Sequence, residues 1–178
     1  MRLMRIALAA MPFEGLALGG FSVGEPISQM HELLAEVAPA LDAKRPRYLM
    51  GVGKLRDLVI AVGCGVDMFD CVLPTRNARN GQAILRNEVI VIKNARHKTD
   101  GSVLDPDCAC PACAGGFSRA YLRHLFLARE ILALRLLSAH NLHVYGKLMS
   151  DARDAISERR YDAFARDFLT RQAPARLS

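Results

Sequence analysis

Cys108-Ala109-Cys110-Pro111-Ala112-Cys113 places three thiols within six residues, and this restricts the fold more than any other feature of the chain. The chain holds five cysteines, an odd number. A secreted disulfide framework shows an even count at wider spacings, so metal binding in a reducing cytosol is the better reading. Three thiolates and one imidazole make a soft tetrahedral set suited to structural Zn2+, with no open position for catalysis. The fourth ligand is open between two histidines: His140, separated from Cys113 by 26 intervening residues, and His143, with spacing only modestly favouring His140. Zinc tethering would contribute on the order of 10 kcal/mol to local folding, which matters for a loop with little apolar content of its own.

Ahead of the cysteines, helix and strand patterns alternate. Residues 2–11 are helical in pattern, and Gly15 to Gly20 is a short apolar strand ending in a glycine pair. Pro26 opens a helix to about Leu41, with Met30, Leu33, Leu34 and Val37 at helical spacing. Arg47 to Gly51 is a second strand, Leu55 to Val62 a helix, and Val66 to Val72 a third strand. Short apolar strands separated by single helices indicate parallel βα units, each ending in glycine or in chemistry as at the active face of a barrel. Residues 82–93 then predict a hairpin turning at Arg86-Asn87-Glu88. Past the cysteines, Ser118 is the expected N-cap of a long helix to about Ser138, with Tyr121, Leu125, Ala128 and Leu132 on one stripe. A further helix is expected from Asn141 to Ser157, followed by a basic tail.

Side chains alternate along a strand, so Val66, Met68 and Asp70 are expected on one face, with Asp67 on the other. In a barrel that face points inward and sets the Asp70 carboxylate at the mouth. A carboxylate there could act as a covalent nucleophile at a sugar C1′, as in retaining glycosyl transfer; a capping role is the plainer alternative. Pro74-Thr75-Arg76-Asn77-Ala78-Arg79-Asn80-Gly81 follows, read as a turn whose arginines and asparagines are good phosphate and base-edge donors. The net charge of +6 is concentrated here: Arg76, Arg79, Arg86, Lys93, Arg96 and Lys98 stand against the single acid Glu88 between Cys71 and Thr99. Such a segment suits an anionic partner such as nucleic acid, or simply a solvated face. Gly51-Val52-Gly53-Lys54 is not a P-loop, because the first glycine is missing at the needed offset and Leu55 replaces the required Ser/Thr.

GGFSVGE (19–25), YLMGVGK (48–54), GVDMFDCVLPTRNARNG (65–81), LDPDCACPAC (104–113), SRAYLRHL (118–125) and HNL (140–142) occur in this order. In these blocks the chain resembles bacterial-type tRNA-guanine transglycosylases over nearly its whole length. The resemblance implies an α/β fold: the last three βα units of a TIM (β/α)8 barrel over residues 1–81, and a hairpin, zinc-binding loop and C-terminal helices over 82–178. It implies exchange of guanine 34 in a tRNA anticodon for a 7-deazaguanine queuosine precursor, through a covalent ribosyl-aspartate on Asp70. By the same resemblance Gly20, Phe21 and Met50 bind the base, and Glu25 supports the peptide near Gly20. Gly51, Val52, Gly53, Lys54, Leu55, Arg56 and Asp57, with Thr75, Arg76, Asn77, Ala78 and Arg79, contact tRNA. His140 becomes the fourth zinc ligand beside Cys108, Cys110 and Cys113. A homodimer is the implied assembly.

Members of this family are about twice as long, and their first half supplies the general-base aspartate and the other barrel strands. Three βα units do not close a barrel. The reading as an enzyme therefore stands beside two others: a non-catalytic zinc-containing tRNA-binding or dimerisation module, and an inert gene remnant. Arg2 and Arg5 before an apolar run imitate a weak signal peptide, but Pro12 and Glu14 interrupt it. No window approaches the ~18–20 apolar residues of a membrane span. A cytoplasmic location is the expectation.

Overall fold

The computed structural model describes residues 11–21, 24 and 26–171. The predicted helix over residues 2–11 (all but its last residue), Glu25 and the basic tail past Arg171 lie outside them. The chain divides into two compact units, one built from residues up to Val72 together with Ala155–Leu169, the other centred on Leu73–Asp154. Leu73 to Gly81 thus groups with the cysteine-rich part of the chain.

The first unit holds a parallel sheet of β1 (Leu16–Leu18), β2 (Arg47–Leu49) and β3 (Met68–Phe69), in that order. Helices α1 (Ile27–Val37) and α2 (Leu55–Gly63) connect them. The register sets Leu18 beside Leu49 and Leu49 beside Phe69. That row packs on the cluster of Met30, Leu34, Ala38, Val52, Ala61 and Val66. Met30 and Leu34 are one helical turn apart, so the buried stripe of α1 follows its apolar spacing. The alternate row, Ala17, Tyr48 and Met68, is on the opposite face, where Met68 is 54% exposed.

Val66 does not share the Met68 face as predicted; it is buried in the cluster. The reason is the end of α2. Gly65 adopts φ +89, its N–H donates to Val62 O, and the Val66 N–H donates to Ala61 O at 3.1 Å. Val66 thus belongs to a Schellman closure, and strand alternation starts only at Met68.

After Ser157 a further helix, α7 (Tyr161–Arg171), replaces the start of the expected tail. Its aromatic residues Tyr161, Phe164 and Phe168 follow helical spacing, and the Tyr161 hydroxyl donates to Val59 O at 2.7 Å. Burial pushes the Tyr161 phenol up to about 12.

The second unit contains α3 (Leu73–Arg79), the antiparallel pair β4 (Gln82–Ile84) and β5 (Val89–Val91), α4 (Pro111–Ala114), α5 (Arg119–Leu127) and most of α6 (Ile131–Ser157). Its core joins Ala78, Ala83, Ile90, Ile92 and Leu104 to Leu122, Leu136 and Leu137. Three sequence expectations change here. The Pro74–Gly81 segment is a helix followed by a glycine cap rather than a turn: the Gly81 N–H donates to Ala78 O, and φ at Gly81 is +77. The single helix expected from Ser118 to Ser138 breaks at Arg129. Ser118 does cap its start, accepting from the Tyr121 N–H at 3.1 Å. At its end the N–H groups of Arg129 and Glu130 donate to Phe126 O and Leu125 O. This is a Schellman motif with arginine, φ 61, in the place usually held by glycine. α6 then runs unbroken through His140, so the helix break expected before Asn141 is absent.

Candidate metal centre and acidic strand end

Cys108, Cys110, Cys113 and His140 converge, with their ligand atoms all within 4.8 Å of one another. The short helix α4 does part of this work: Cys110 is its N-cap, and the Cys113 N–H donates to Cys110 Sγ at 3.4 Å. α6 supplies His140, whose Nδ1 lies 3.6, 3.4 and 3.5 Å from the sulfurs of Cys108, Cys110 and Cys113. Zn–S and Zn–N bonds at a tetrahedral angle separate sulfur from nitrogen by about 3.6 Å. The three separations fit that geometry, so the residues fit a closed zinc site. His143 is outside the group; of the two histidines, His140 is the one whose imidazole meets the three sulfurs.

The protonation chemistry points the same way. Burial lowers the proton affinity of His140, and its Nε2 lies 3.1 Å from Ile84 O. The carbonyl fixes the proton on Nε2, leaving Nδ1 as the lone pair that faces the sulfurs. Burial, then the neighbouring Cys110 sulfur, pushes the Cys113 thiol up to about 12. Burial also raises Cys108. A divalent cation is what reverses such a penalty and holds the thiolates.

Asn141, next to His140, is fully buried. Its Oδ1 accepts from the Ile84 N–H at 2.7 Å, and its Nδ2 donates to Pro74 O at 2.8 Å and Gln82 O at 3.0 Å. His140 and Asn141 therefore hold both polar groups of the Ile84 backbone. Asn141 was not among the sequence candidates; the available signal was an amide adjoining a candidate metal ligand in a helix that is apolar toward the core.

In the first unit the expected base-binding and nucleophilic residues follow the carboxyl ends of adjacent parallel strands. Gly20 and Phe21 come after β1, Met50 and Gly51 after β2, and Asp70 directly after β3. The Met50 N–H continues the ladder to Leu18 O at 2.9 Å, and its side chain is 46% exposed. Phe21 packs against the core cluster. Oδ1 of Asp70 accepts from the Tyr48 hydroxyl at 2.7 Å and the Gly51 N–H at 3.0 Å. Gly51 has φ +73, a conformation costly for other residues. The Tyr48 hydroxyl, followed by the Gly51 amide, holds Asp70 below the usual carboxylate range, while the same bond raises Tyr48. Tyr48 was not among the sequence candidates, although its two-residue offset from Met50 was visible.

The expected RNA-contacting segments divide by burial. In the first unit Val52, Gly53, Leu55 and Asp57 are buried, and Asp57 accepts from His31 Nε2 at 2.9 Å. Gly51, Lys54 and Arg56 are exposed. In the second unit α3 buries Pro74 and Ala78 and exposes Arg76 and Arg79, with Thr75 and Asn77 half-buried. Residues 74 and 78 face one side of a 3.6-residue turn, and 76 and 79 the other.

Residues 3–174 match the family described as queuine tRNA-ribosyltransferase. Two curated relatives carry that same name. The chain is 69% identical over 162 residues to one from Sorangium cellulosum strain So ce56, covering 91% of this chain and 41% of the relative. It is 52% identical over 161 residues to one from Buchnera aphidicola subsp. Schizaphis graminum strain Sg, covering 90% of this chain and 44% of that relative. The chain thus spans about two fifths of the length of these relatives. Among the described residues no helix is long and apolar enough to cross a membrane.

Proposed function

This chain belongs to the queuine tRNA-ribosyltransferase family, and on that premise we propose that it supplies the nucleophile and part of the tRNA surface of a cytoplasmic tRNA-guanine transglycosylase. Its βα units are the last three of a (β/α)8 barrel, its Cys3His group holds a structural zinc, and the working assembly is a homodimer. The substrates are a tRNA with guanine at anticodon position 34 and a small 7-deazaguanine base.

The observation that carries this reading is the Asp70 carboxylate, ionised and oriented at a strand end by Tyr48 and Gly51. Both donors bind Oδ1, so Oδ2 takes neither bond and is the attacking oxygen. It forms a bond to C1′ of the nucleoside as the C1′–N bond to guanine breaks, and the bonding pair departs with the base, which takes up a proton. The incoming base then gives up a proton, attacks C1′ and releases the carboxylate. Resemblance assigns the proton transfers to an aspartate in the part of the relatives that this chain does not span. Met50, Gly20 and Phe21 line the base site, and the exposed cations Lys54, Arg56, Arg76 and Arg79 meet tRNA phosphates.

Zinc has a structural part in this scheme: four protein ligands leave it no open position. The protein that carries this chain should exchange labelled guanine into tRNA, and Asp70→Asn should abolish the exchange. Exchange that persists in Asp70→Asn contradicts the assignment. Binding of tRNA without exchange by the unaltered protein supports the non-catalytic module instead.

A further inference from the structure

The seven residues of α3 are too few to form a stable helix alone, since isolated helices shorter than ~12–15 residues are marginal in water. Its orientation has to come from what holds its inner side. Pro74 and Ala78 are buried there, and the Pro74 carbonyl accepts from Asn141 Nδ2. The second Nδ2 proton goes to Gln82 O, at the start of β4, and Oδ1 takes the Ile84 N–H at its end. One amide side chain thus ties the first turn of α3 to both ends of β4. Its neighbour His140 ties the same Ile84 to the metal group. Both protons of this amide are donated and its oxygen accepts a hydrogen bond, with no exposure to water.

We propose that Asn141 is a positioning residue for RNA recognition, fixing to the metal-bearing helix the short helix that presents Arg76 and Arg79. The inference rests on the reading that these two arginines contact tRNA. The Asn141 amide itself is buried on the inner side of α3, so it acts through the arginines and touches no RNA. An aspartate at this position keeps the acceptor for Ile84 but sets a carboxylate against two carbonyl oxygens, which releases α3 and spares the metal ligands.

The test uses Asn141→Asp, the pair Arg76→Ala/Arg79→Ala, and the three changes together, in the full protein. Zinc content, hydrogen exchange and binding of a tRNA anticodon stem-loop across salt concentrations are measured. Asn141→Asp should keep zinc, speed amide exchange in α3 but not in residues 108–113, and weaken RNA binding by about tenfold. Added to the arginine pair, it should cause no further loss, because it acts through those side chains. A zinc-loaded Asn141→Asp protein that binds RNA normally overturns the inference, as do losses that multiply in the combined variant. An arginine pair without effect overturns the RNA reading and this inference with it; an effective pair beside a silent Asn141→Asp overturns the inference alone. Where Asn141→Asp does not fold, Asn141→Gln is measured in the same way: it should keep zinc and weaken stem-loop binding, and normal binding by the zinc-loaded variant overturns the proposal.

Discussion

The Tyr48 hydroxyl donates to Oδ1 of Asp70 across 2.7 Å, linking β2 to the residue that follows β3. Tyr48 pairs with Met68 in register, so Asp70 is two positions further along the same exposed face. The side-chain bond orients one carboxylate oxygen and stabilises its charge, which suits a group that must be ionised to attack.

Tyr48→Phe should therefore raise the Asp70 pKa toward its ordinary value of 3.8. The folded value is depressed, so the bond's contribution is present above the unfolded carboxylate value and fades as pH falls through the folded one. The acid limb of the exchange reaction, or the Asp70 carboxyl resonance followed by NMR, should move to higher pH in the variant. An unmoved limb and resonance would show that the hydroxyl does not tune this carboxylate.

Purified protein should contain about one zinc per chain, the expected content of one closed Cys3His site. Cys113 without a cation is pushed up to about 12, so zinc uptake near neutral pH should release protons, and affinity should fall as pH falls. His140→Ala should lose the metal, while His143→Ala should keep it. Equal zinc retention by both variants, read by metal analysis, would remove His140 from the ligand set.

Arg76→Ala and Arg79→Ala should each weaken binding to an anticodon stem-loop and lower the slope of log K against log salt by about 1. Both side chains are exposed on α3. Equilibrium binding at several salt concentrations checks this; unchanged slopes would place the phosphates elsewhere.

Gly81→Ala should destabilise the second unit by more than the ~1 kcal/mol expected of a strained left-handed position. A Cβ there would also come within 2.8 Å of the Phe126 ring. The midpoint of denaturant unfolding should fall, and Phe126→Leu should recover part of the loss in the double variant. Simple additivity of the two changes would exclude the ring contact as a cause.

The metal group was legible because its chemistry is written in three nearly adjacent thiols. The fourth ligand was not, since His140 and His143 occupy one continuous helix and only the fold shows which imidazole meets the sulfurs. The parallel order of the sheet followed from the alternation of short apolar strands and helices. The end of α5 was harder to read: Arg129, with φ 61, terminates it in a conformation that sequence patterns associate with glycine. The end of α6 at Ser157 is where the sequence placed it. α3 was read as a turn because Pro74, two asparagines and Gly81 resemble turn chemistry; here proline starts a helix and glycine ends it. The apolar stripe of α7 is only Tyr161, Phe164 and Phe168 among charged neighbours, too thin to separate from a basic tail.

The most direct test is covalent. The protein should be mixed with guanine-34 tRNA, denatured during turnover and run on a denaturing gel. A protein–tRNA adduct is predicted, with Asp70 as the modified residue by mass spectrometry, absent in Asp70→Asn and dispersed by excess free base. An adduct that forms equally well in Asp70→Asn, or that maps to another residue, would contradict the account.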